Sequence, residues 1–280
     1  MIFTHLLNKG GMVLGATSIS PDRPIQTVKD RQLDADNMPD SSSIKVNAPR
    51  RAALIWTLAQ IAIVWTVSDI GFYLLLPMLG LQPSYNEASI AITLYYIFWV
   101  GITVITFWPL YTSWSLYGRW ATFENRVSSY VVWSISFAAC ILFAAYVLPL
   151  LPPPAWTEPW NPPEVRVATP WYFLPKSIEI LFQQLLVVAL ILALSAQQYS
   201  IRKISAYCAL AFGAAHVFLA LDEVPLRYVI RFMIAATAFG VVFPYLILRV
   251  PNGFAYSYIV HWLYYAVTVS MPRLFSSSPT

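Results

Sequence analysis

The chain predicts an all-α, polytopic membrane bundle of about seven transmembrane helices, on three observations. Hydrophobic residues fill 58% of its 280 positions and charged ones only 11%, against about 45–50% and about 25% in soluble domains. The apolar residues come in runs near the length of about 20 that an α-helix needs to cross hydrocarbon. Backbone polar groups at that depth must bond within their own segment, so runs of this kind are helices.

Residues 1–51 form a polar tail without a run long enough to span. From Ser18 to Arg51 it is rich in Asp, Ser, Pro, Lys and Arg, a composition that buries too little surface to offset ordering entropy, so it is expected to be flexible or to order on a partner. It lacks the charged, apolar and small-residue succession of a signal peptide, and is expected to be retained. Residues 52–151 hold three expected spans, Ala52–Leu81, Ala88–Tyr111 and Val127–Leu151. The first is long enough to tilt or break near Asp69. Residues 152–170 are rich in Pro and Trp, which suits an interfacial cap, since proline stiffens the chain without a helix and tryptophan prefers the headgroup region. Residues 171–272 hold four more spans, Trp171–Ser195, Ile204–Leu221, Phe232–Leu248 and Phe254–Ser270.

Cations near the span ends are unequally shared. Lys45, Arg50, Arg51, Arg119, Arg126, Arg202, Lys203 and Arg249 lie on the N-terminal side, and Arg166, Arg227, Arg231 and Arg273 on the other. The excess predicts a multi-pass protein with its N-terminus in the cytoplasm. Seven cations among the first 51 residues suit an anionic lipid surface, and no basic groove interleaved with aromatics suggests nucleic acid. Cys140 and Cys208 sit in apolar runs and read as packed thiols rather than a disulfide or a metal site.

Ionisable side chains at membrane depth are costly, which makes them the place to look for function. Asp69, Lys176, Glu179, His216 and His261 are the candidates. Lys176 and Glu179, three apart, share a helix face and can neutralise each other. Counting 1.5 Å of rise per residue along spans of alternating direction places Glu179, His216 and His261 in the half of the bilayer beneath the Pro-rich loop, where they are expected to line one cavity. A carboxylate and two imidazoles there suit water activation with oxyanion stabilisation, or ligand binding.

Phe212-Gly213-Ala214-Ala215-His216 has the Phe-x-x-x-His form of a motif in the CPBP family, the membrane proteases that include CAAX prenyl endopeptidases and Abi-type proteins. Ile178–Gln184 stands where that family carries Glu-Glu-x-x-x-Arg. Gly240, Asn252-Gly253 and His261 followed by Trp262-Leu263-Tyr264-Tyr265 resemble its closing stretch, which ends in His-x-x-x-Asn. The ordered set spans Trp171 to Val269. The resemblance implies catalytic roles for Glu179, His216 and His261, but the family's first glutamate is Ile178 here, its arginine Gln183 and its asparagine Tyr265. Without the first carboxylate, general-base catalysis loses about two to four orders of magnitude.

Three functions follow as expectations. The first is a CPBP-like bundle without protease chemistry, a scaffold, assembly or binding subunit of a membrane protein complex in contact with the bilayer and with partner subunits. The second is an intramembrane endopeptidase of CAAX or Abi type with rearranged catalytic residues. The third is a haem- or pigment-binding subunit using a histidine as axial ligand; otherwise no cofactor is expected. A metal site is not, since no His-Glu-x-x-His pair occurs. The 11 Trp, 17 Tyr and 16 Phe exceed what interfacial belts need, and Tyr95, Phe98 and Trp99 in mid-span suggest internal packing or a partner.

Overall fold

A computed structural model describes residues 51–117, 123–153, 164–222 and 224–275. The N-terminal tail up to residue 50 and residues 154–163 of the expected interfacial cap lie outside the described residues. Seven helices follow one another, and no strand occurs among the described residues. Helix α1 (Arg51–Ile70) runs on through a wide π turn (Gly71–Leu75) and a last turn (Leu76–Met78). Helix α2 is Ser89–Tyr117, and α3 is Phe123–Leu142 with its own π turn (Phe143–Val147) and final turn (Leu148–Leu150). Two 3₁₀ turns, Glu164–Val167 and Pro170–Tyr172, lead into α4 (Phe173–Ala196). Helix α5 (Ile201–Ala215) tightens into a 3₁₀ stretch (His216–Asp222), followed by α6 (Leu226–Arg249) and α7 (Gly253–Phe275).

Six of these helices are long and apolar enough to cross a membrane. The chain is a multi-pass integral membrane protein. Helix α7, the seventh expected span, is helical over 23 residues but falls short of that apolarity, because Tyr256, Ser257, Tyr258, His261, Tyr264 and Tyr265 dilute it.

Helix α4 is the axis of the bundle. Of its spanning window 72% lies inside the protein, against 17–33% for the other five. A helix buried on nearly all sides needs an apolar run on nearly all sides, and Leu185–Leu194 supplies it. It touches α1, α2, α5, α6 and α7, while α3 packs on α7 and on the turn before α4. The outward faces stay apolar, with Ile90, Ile105, Ile135, Ile141, Leu210 and Ile234 exposed, the inverse of a soluble surface and the face hydrocarbon requires.

Two close approaches shape the bundle. The π turn of α1 lies just ahead of Pro77, whose ring removes a backbone donor, so the helix widens where its ladder is interrupted. A Cβ at Gly71 would lie 2.6 Å from the Tyr95 hydroxyl; with none there, that hydroxyl reaches the Ser68 carbonyl at 2.5 Å. The break expected near Asp69 therefore exists as a wide turn stitched to α2. At Gly240 a Cβ would stand 2.4 Å from the Ala209 Cα, so glycine sets the spacing of α5 and α6. In the turn before α7, Asn252 adopts φ 59° and its amide bonds Ser128 at 3.0 Å and Ser129 at 2.5 Å, tying α3 to that turn. Both cysteines are free and buried.

Candidate functional site

A cavity of about 920 Å³ opens between α1, the segment before α2, the 3₁₀ turns, α4 and the end of α5. Asp69, Lys176, Glu179, Gln183, His216 and Tyr265 all line it. Sequence reasoning thus finds the ionisable part of the wall that the spans contribute, Asp69, Lys176, Glu179 and His216.

The i, i+3 spacing of Lys176 and Glu179 does what it predicts. Their side chains form a buried ion pair, with the ammonium on Glu179 Oε2. The same oxygen accepts the Tyr85 hydroxyl at 2.7 Å, and Oε1 accepts the Gln183 amide at 2.9 Å. Tyr85 spends its one proton on Glu179, so at the 2.9 Å contact with Tyr96 it is Tyr96 that donates. Burial and the nearby carboxylate push the Tyr85 phenol well above its usual range, which keeps it a donor. The ammonium of Lys176 also lies 4.6 Å from the Tyr85 ring centre and 4.4 Å from that of Tyr265, within cation–π range.

The two histidines have different surroundings. His216 ends α5, and its Nδ1 meets the Phe212 carbonyl at 2.9 Å. A carbonyl only accepts, so Nδ1 carries the proton and Nε2 is left with a lone pair; the residue itself lines the cavity. His261 is 2% exposed and is not part of the cavity lining. Its Nδ1 meets the Gln184 amide at 3.3 Å, and its ring packs between Phe212, Phe239 and Tyr265. The expectation that Glu179, His216 and His261 line a single cavity is corrected: Glu179 and His216 line it, whereas His261 is packed among aromatic rings, with Phe212 in contact with both histidines. Rotation about the helix axis was not legible.

Ile178, where the resembling family carries its first glutamate, is half-buried against the core and does not line the cavity. Glu179 occupies that wall instead, as the angle of about 100° between successive helical residues requires.

Sequence reasoning missed a latch. Glu164, in the first 3₁₀ turn, accepts from the Ser84 hydroxyl at 2.7 Å, the Tyr85 backbone N–H at 2.9 Å and the Asn86 backbone N–H at 2.7 Å. The Asn86 side chain adds a bond to Glu164 at 3.0 Å and accepts the Thr169 N–H at 2.7 Å. This latch joins two of the segments that line the cavity. A signal for half of it exists in Ser84-Tyr85-Asn86-Glu87, the Ser-x-x-Glu pattern that opens helices, and the Ser84 hydroxyl does accept the Glu87 N–H at 3.0 Å.

The chain matches no family model, no curated protein and no solved structure. Among the described residues no group of three or more His, Cys, Asp or Glu side chains is placed to hold a metal ion.

Proposed function

We propose that the chain is a CPBP-like membrane bundle without peptidase chemistry that serves as a binding or assembly subunit of a membrane protein complex, with its N-terminus in the cytoplasm. The observation that carries this reading is the state of Glu179. Its two oxygens receive Lys176, Tyr85 and Gln183. A carboxylate acts as a general base through a free lone pair and a proton affinity near the working pH. Three donors, one of them cationic, take up the lone pairs on which a proton from water would have to land. His216 keeps a lone pair, but lining the cavity without a carboxylate to hold its proton it makes a poor base for amide attack. The positions that match the family's arginine and asparagine, Gln183 and Tyr265, serve the ion pair instead. The cavity itself remains, and its volume suits binding. The orientation rests on the eight cations of the N-terminal side against four on the other.

The test is a cleavage assay on membrane peptides, including prenylated C-termini, with the native chain, with His216→Ala and with Lys176→Met, which releases Glu179. No turnover above background is expected in the native chain. Turnover there that disappears in His216→Ala overturns the proposal in favour of an endopeptidase with rearranged groups.

A further inference from the structure

The wall of the cavity has a charge and hydrogen-bond character that its own side chains do not use up. Among the described residues four acidic side chains, Asp69, Glu87, Glu164 and Glu179, line it with one basic one, Lys176. That cation is committed to Glu179. Glu164 is held by neutral donors alone, and Asp69 has no ion-pair partner among the described residues. An anion is repelled from such a wall, and a cation is drawn to it.

Two further observations point to a ligand with N–H groups. His216, only 8% exposed, lines the cavity with its Nδ1 committed to the Phe212 carbonyl, which leaves Nε2 as the ring's acceptor. Gln183, on the same wall, has a buried Oε1 with no partner. Both are acceptors, and for Gln183 Oε1, buried without a donor, the missing bond is costly. The rest of the wall includes Trp65, Phe72, Phe232 and Tyr265, whose faces attract a cation and whose area shelters an apolar tail. The chain supplies its own precedent, since the Lys176 ammonium already lies against the Tyr85 and Tyr265 rings with a carboxylate beside it.

We propose that this cavity binds a primary ammonium carrying an apolar or aromatic tail, with Asp69 as counter-ion and His216 Nε2 as hydrogen-bond acceptor. A quaternary ammonium satisfies the rings and the charge but brings no donor for His216 or Gln183. The inference rests on the reading of the cavity as a binding chamber, and names what it binds.

The experiment uses the full chain in lipid nanodiscs and measures equilibrium binding of phenethylammonium, its N,N,N-trimethyl analogue and 3-phenylpropionate. Phenethylammonium is expected to saturate, to bind about tenfold more tightly than the trimethyl analogue, and to raise the melting temperature. The carboxylate is expected not to bind. Asp69→Asn should weaken the amine about tenfold or more, with Asp69→Glu restoring it, and His216→Phe should erase the preference for the primary amine. Displacement by phosphatidylethanolamine in the disc assigns the ammonium to a lipid headgroup, and indifference to it assigns a free amine. Failure of the native chain to bind phenethylammonium overturns the inference, as does equal binding of 3-phenylpropionate. Unchanged affinity in an Asp69→Asn protein that melts like the native one does so too. Peptide turnover lost in His216→Ala removes the non-catalytic reading whatever the amine does, whereas no amine binding in a chain that also fails to cleave removes this inference alone.

Discussion

Two faces of α4 carry polar residues of similar size and use them in opposite ways. The face toward the cavity presents Lys176, Glu179 and Gln183, charged or bonded to charge, beside open space. The face toward α7 presents Ser177 and Gln184 to Ser257, Tyr258, His261 and Trp262, bonded to one another pairwise. Neutral donors and acceptors can be matched pairwise in a dry seam at little cost. A charge needs several partners at once, and gathering them from different helices leaves room between the helices. The cavity lies where the charge is.

The largest effect should come from breaking the charged face. Lys176→Met leaves Glu179 buried without its cation and should cost about 3–5 kcal/mol, while pairing it with Glu179→Leu should recover most of the loss; both are read from unfolding of the purified protein in detergent. Next comes the latch. Glu164→Gln removes the charge behind four hydrogen bonds and should cost about 1.5–3 kcal/mol, with faster hydrogen exchange confined to residues 82–88 and 164–169. Close in size to the latch is Tyr85→Phe, which removes a hydrogen bond to a carboxylate and the acceptor of the Tyr96 hydroxyl and should cost about 1.5–3 kcal/mol. Tyr85 keeps its proton in the fold above the pH at which a free phenol loses it, so its share of stability is present below about pH 10 and declines above it. The Tyr85→Phe protein should show a shallower alkaline loss in a pH-resolved melt. On the neutral face, Gln184→Leu strands the His261 Nδ1, while the Ser257 hydroxyl keeps the Phe254 carbonyl; it should cost about 1–2 kcal/mol, leaving ligand binding in the cavity unchanged.

The same comparison explains what could be read from residues alone. The spans were legible because hydrocarbon demands long apolar runs, and the Lys176–Glu179 pair was legible because a helix brings i and i+3 together. Asp69 was visible as an intramembrane charge without a partner in sequence, and the structure sets it on the cavity wall. Tyr85 was not legible as a ligand of Glu179, because 94 positions separate them and periodicity within a helix carries no information on what arrives from another. Glu164 reaches Ser84 across 80 positions and was hidden for the same reason. Phe98 and Trp99 show the limit in small: adjacent aromatics looked alike in sequence, but Trp99 packs against Phe182 of α4 whereas Phe98 is 59% exposed.

The latch also sets an order of events during synthesis. The ribosome releases Ser84–Asn86 long before Glu164, with α2 and α3 made in between. Until the chain has passed Glu164, the N–H groups of Tyr85 and Asn86 have only water or headgroups to bond. The half-built protein therefore carries an open trough rather than a chamber, its first wall formed by α1 and the second still unmade. Helix α4 then supplies Lys176 and Glu179 immediately behind the latch residue, within 15 positions of Glu164 in the chain. Latch and charged wall arrive together, so the carboxylate of Glu179 enters the protein with its ammonium three residues away and its tyrosine already waiting, and spends little time at membrane depth unaccompanied.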